Sequence, residues 1–122
     1  MTIANAISAA DALLSNEIAE SVKVRWLNEL DEQIWNDLIL THEREADASS
    51  TYTPHTADTD ELLVPDFASG LYIEYLIMQI NLAHGETERY NAAAAVFQNK
   101  LQSYVNWYNR THMPVRGPDL SF

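Results

Sequence analysis

The chain has no cysteine among its 122 residues. That removes disulfides, iron–sulfur clusters, thiolate zinc sites and cysteine nucleophiles together, and it is compatible with a reducing cytosol. Glycine is nearly as scarce. Gly70, Gly85 and Gly117 stand far apart, which excludes every phosphate-cradling loop that needs two or more glycines close together. No apolar run reaches the ~18 residues of a membrane-crossing helix. The opening MTIANAISAADALLS lacks the basic region and the cleavage site of a secretory signal. Bases are few: seven stand against eighteen acids, a net charge of −11, which opposes any general affinity for phosphate backbones. The deficit is lopsided, because residues 1–61 hold thirteen acids and three bases while residues 62–122 hold five and four. One end or face should therefore carry a strong negative field that steers partners and repels nucleic acid; the plainer reading of the same charge is solubility.

What is present is helical pattern, and the chain reads as one all-α domain. Residues 65–114 form two long helices joined at Gly85, with Pro65 opening the first and Pro114 ending the second. In the second, Tyr90, Ala94, Phe97, Leu101, Tyr104 and Tyr108 recur at alternating steps of four and three, a seam on one face. The first is apolar almost all round, with Gly70, Glu74 and Asn81 as a narrow polar strip. A helix of that kind needs cover on several sides, so it should be central.

Upstream, residues 2–14 read as a short amphipathic helix capped by Thr2, with Ile3, Ile7, Ala10 and Leu14 inward. Ser15-Asn16 breaks it and can cap a second helix over about 17–41. That helix turns Trp26, Leu27, Leu30, Ile34 and Leu38 inward, and Arg25, Asn28, Glu29, Glu32 and Asn36 outward. Lys23 and Asp31 project off-pattern toward the apolar half, either at its rim with the lysine stem snorkelling or against partners across a helix or subunit contact. Residues 42–64 break the periodicity and form a long acidic loop, in which Tyr52-Thr53 and Leu62-Leu63-Val64 can pair as a short hairpin. The architecture expected is a short N-terminal helix plus three long helices in a bundle, with a helical domain over 1–114 and an extended tail over 115–122.

Chemistry is hard to find. His42, His55, His84 and His112 make neither the i,i+4 pair of a zinc helix nor the Glu-x-x-His pairs of di-iron bundles. His42, His84 and His112 sit where helix ends favour a cation. Ser69-Gly70 lies in a helix rather than a nucleophile elbow. The loop acids Glu43, Glu45, Asp47, Asp58, Asp60 and Glu61 have no apolar surroundings to raise their pKa for acid–base work. Neither an enzyme nor a cofactor or metal site is expected. Trp35 and Trp107 lie beside their helices' main stripes, as interface anchors do, and with the all-round apolar helix they point to self-association.

Several runs carry a family likeness. Trp26-Leu27-x-x-Leu30-Asp31, Leu63-Val64-Pro65, Tyr72-x-x-Tyr75-Leu76, Gly85-Glu86 followed by Arg89-Tyr90-Asn91, and Asn106-Trp107-Tyr108-Asn109-Arg110 ending at Met113-Pro114 together resemble the small head–tail connector (adaptor, or head-completion) proteins of tailed bacteriophages. The likeness is greatest to those of long-tailed phages of Gram-positive hosts and covers about residues 17–114. None of these runs is catalytic; they are packing and turn residues. The resemblance implies a helical subunit whose copies form a ring beneath the portal protein and extend the DNA exit channel. It would be made in the host cytoplasm and reside in the neck of the virion. The implied partners are the portal, a stopper or tail-completion protein and further copies of the chain, with DNA passing through without specific binding and no membrane involved. Candidate subunit or portal contacts are Lys23, Asp31, Trp35, Trp107 and, in the tail, Arg116 and Phe122. The alternative reading is an acidic α-helical protein-binding module, regulatory or inhibitory, that docks by its negative face.

Overall fold

The computed structural model describes residues 1–42 and 52–112. Four helices make up most of this part, with no strand among the described residues. The first, α1 (Ile3–Leu13), is capped as its sequence suggests: Thr2 Oγ1 accepts the Asn5 N–H at 3.1 Å. Ile3, Ala6, Ile7 and Ala10 are buried on its inner face.

The second helix, α2 (Glu20–Ile34), starts later than expected. Asn16 does not cap it. Its amide donates to Asp11 Oδ1 and to the Leu14 carbonyl at 2.9 and 3.0 Å, and its own oxygen accepts the Ile18 N–H at 3.2 Å. Those bonds hold a turn, which delays the helix until Glu20. Leu27, Leu30 and Ile34 are buried along α2, whereas Trp26 is half-buried. Beyond Ile34 the coil widens into a π turn over Trp35–Ile39, with Leu38 buried.

Pro65 stands just ahead of a 3-10 turn, Asp66–Ala68, and α3 (Gly70–Ala83) follows it. No residue of α3 from Gly70 to Asn81 is exposed, so the all-round apolar helix is central. It packs against α1, α2 and the last helix, α4 (Thr87–Thr111). Gly85 joins α3 to α4 at φ +72°, a left-handed conformation that costs glycine nothing and most residues about 1 kcal/mol or more. The aromatic seam of α4 faces α3: Phe97, Tyr104 and Tyr108 are buried, and Tyr90, Ala94 and Leu101 are partly so.

The expected hairpin of Tyr52-Thr53 with Leu62–Val64 does not form. Residues 58–62 run instead beside the chain's first residues, with Ala4 and Ile3 donating to the Asp58 and Asp60 carbonyls and Leu62 donating to Met1. An isolated antiparallel bridge joins Thr2 to Glu61. In that register Leu62 and Val64 bury their side chains against the core. The C-terminal part of the acidic loop is thus packed structure, while residues 43–51 and the tail from 113 lie outside the described residues. No described helix is long and apolar enough to cross a membrane.

Candidate functional site

Two constellations stand out, one sealed and one open. The sealed one is built on α2. Asn28 and Asp31 lie three residues apart, hence on adjoining faces of one helix, and both reach into the segment 52–64. The Asn28 side chain accepts the Tyr52 hydroxyl and the His55 N–H at 2.8 Å each, and donates to the His55 carbonyl at 3.2 Å. Asp31, fully buried, accepts from the Tyr72 hydroxyl with one oxygen. Its other oxygen takes His55 Nε2 at 2.7 Å and the Leu63 N–H at 3.0 Å. The Tyr72 oxygen in turn accepts the Val64 N–H at 2.9 Å. Burial, with the Asp31 carboxylate beside it, pushes the Tyr72 phenol well above its usual pKa, so the hydroxyl remains a donor. Both carboxylate oxygens are occupied by groups of the same chain. The set therefore ties α2, α3 and the end of the acidic loop together rather than meeting a substrate.

A smaller clamp joins α1 to α2, where Lys23 Nζ lies 2.8 Å from Asp11 Oδ1. Burial alone would raise the Asp11 carboxyl, but the hydrogen bonds from Lys23 and Asn16 outweigh it and hold the group below the usual carboxylate range.

The open constellation gathers where α4 ends. Phe67, two-thirds exposed at 66%, meets Trp107 edge-on at 4.7 Å between centroids. Trp107 lies over Tyr104 at 5.9 Å. The ring of Tyr108 is met edge-on by His42 at 4.9 Å and is stacked by His112 at 3.9 Å. His42 itself is fixed: Nδ1 lies 2.7 Å from the Leu38 carbonyl oxygen, and Nε2 lies 2.7 Å from Asn109 Oδ1. Beside this cluster a groove of about 380 Å³ runs between Phe67, Ala68 and Gly70 on one side and Asn99, Lys100 and Ser103 on the other. Burial raises the Tyr104 phenol at its edge to about 12.

The residues singled out from sequence fall unevenly over these features. Lys23 and Asp31 do not sit at a rim. They are 3% and 0% exposed, and both have partners inside the chain. Trp35 is half-buried with its indole N–H unpaired among the described residues. Trp107 is the one candidate in the open aromatic cluster, and Arg116 and Phe122 lie outside the described residues. Asn28, read as solvent-facing, is a clamp residue. His55, Phe67 and the pairing of His42 with His112 around Tyr108 carried no periodic signal; only the i,i+3 spacing of Asn28 and Asp31 hinted at the clamp. No family model, no curated protein and no solved structure matches the chain.

Proposed function

We propose that the chain is a structural virion protein, a head–tail connector subunit of a tailed bacteriophage that assembles as a ring under the portal and extends the DNA exit channel. In this reading its task is geometric. One observation carries it: His42, just beyond the π turn, and His112, at the end of α4, are held against the same ring, Tyr108, which fixes the end of one helical segment on the end of another. A subunit whose task is geometric needs its helix ends held in fixed relation to one another. The runs that resemble the connector family also fall on positions that hold the fold together. Asp31 and Tyr72 hold the clamp, Leu63-Val64 are held by it, and Trp107-Tyr108-Asn109 form the aromatic end. Excess acid suits a channel wall, since DNA binds where Lys and Arg neutralise phosphates and slides past where they do not.

The portal contact is assigned to the tail, residues 114–122. Deleting residues 114–122 should abolish capture by the portal in a pull-down while circular dichroism keeps its helical signal. Retained capture would sink the tail assignment. Binding to a host protein in place of the portal would favour the acidic regulatory module instead.

A further inference from the structure

The groove beside Phe67 holds an aromatic ring and a cation that the fold leaves largely unused. Phe67 stays mostly exposed although it meets Trp107, and Ala68, Gly70 and Tyr104 add apolar wall. Lys100 reaches the groove from α4. Its Nζ approaches Glu74 no closer than 3.9 Å and makes no hydrogen bond among the described residues. Gly70 gives this ammonium its room, since a Cβ there would stand 3.2 Å from Nζ. An apolar channel with one weakly paired cation is complementary to an extended apolar segment that carries one carboxylate.

A segment of that composition follows α4 directly. Residues 113–122 read MPVRGPDLSF, with Val115, Leu120 and Phe122 apolar and Asp119 the one acid. Pro114 and Pro118 favour extended backbone. Lys100 precedes His112 by twelve residues, about 18 Å back along the helix. Asp119 follows His112 by seven, and seven extended residues span about 23 Å.

We infer that residues 113–122 fold back antiparallel to α4 and seat in this groove of their own chain, with Asp119 against Lys100 and Val115 against the Phe67–Trp107 pair. Length and charge select this occupant together. The segment is just long enough to bring its only acid to the groove's only base, and a short tether holds it there at an effective concentration on the order of millimolar. A second copy at micromolar dilution does not compete with that. The inference deepens the tail–portal assignment above and rests on it for its purpose: a segment held in the groove is withheld from the portal until capture lifts it out.

The absence of cysteine gives a clean test in the full chain. Asn99 lines the groove, whereas Gln98 is its neighbour in sequence but lies about 100° round the helix. Chains carrying Asn99→Cys with Ser121→Cys, and Gln98→Cys with Ser121→Cys, are oxidised in dilute solution. The first should close an internal disulfide about tenfold faster than the second, as a monomer by mass. Adding Lys100→Glu should bring the two rates to parity, and adding Asp119→Lys to that should restore the preference. Equal rates in the parent pairs, chiefly two-chain products, or no rescue with helical content intact would overturn the contact. The internally linked Asn99→Cys/Ser121→Cys chain should lose portal capture and regain it on reduction; capture while linked would overturn the withholding. Capture by neither form removes the connector reading and leaves the groove to be decided by the linking rates.

Discussion

The clamp at Asp31 and the aromatic end at Trp107 are both dense with polar or aromatic side chains, yet they differ in what they leave over. Every polar atom named in the clamp is paired within the chain, and Asp31 and Tyr72 are wholly buried. At the aromatic end Phe67 remains mostly exposed although it touches Trp107. The first is a finished structure; the second has surface to offer. A buried network that is fully satisfied specifies one arrangement and costs much to disturb, while an exposed aromatic contributes little to the fold and much to a contact. Mutation should separate the two cleanly.

The largest effect is expected at the centre of the clamp. Asp31→Ala leaves the Tyr72 hydroxyl, the His55 imidazole and the Leu63 N–H without their acceptor, and should cost about 3–5 kcal/mol in urea unfolding. A loss below about 1 kcal/mol, the worth of a surface pair, would show that the network is not what holds segment 52–64. Tyr72→Phe is the milder form. It removes one donor to Asp31 and the acceptor of the Val64 N–H, and about 1–3 kcal/mol should be lost. At the aromatic end Phe67→Ser should leave the unfolding midpoint almost unmoved, within about 0.5 kcal/mol, while weakening association with a partner in a pull-down. A large loss of stability there would erase the distinction between the two regions.

The smallest effect is one of pH. Backbone N–H groups of Ala57 and Thr56 donate to Asp60 and hold its carboxyl below the usual range. A carboxyl whose folded pKa is depressed contributes stability that is present above its unfolded pKa, near 4, and lost as pH falls through the folded value. The urea midpoint should therefore fall on acidification below about pH 4, and Asp60→Asn should flatten that fall. An unchanged slope in the variant would assign the acid sensitivity to other carboxyls, Asp11 first among them.

Much of the fold is legible in the sequence because it follows from period and punctuation. The cap at Thr2, the turn at Gly85, the seam from Tyr90 to Tyr108 and the central place of α3 all rest on local rules, and each recurs in the structure. The clamp was legible only as an anomaly. Asp31 broke the apolar stripe, but its partners Tyr72, His55 and Leu63 lie up to 41 residues away, and no periodicity links them. The hairpin expectation failed for a related reason: residues 58–62 pair with the chain's first residues, a partner distant in sequence that no local pattern marks. Tertiary pairing overrode a local preference.

The proposed function makes the chain one subunit of a ring seated on a portal. Electron microscopy of the chain produced together with the portal of its own gene neighbourhood tests it most directly. The account predicts portal particles bearing an added ring of density coaxial with the channel. Bare portal particles, with the chain unassociated at saturating concentration, would contradict it.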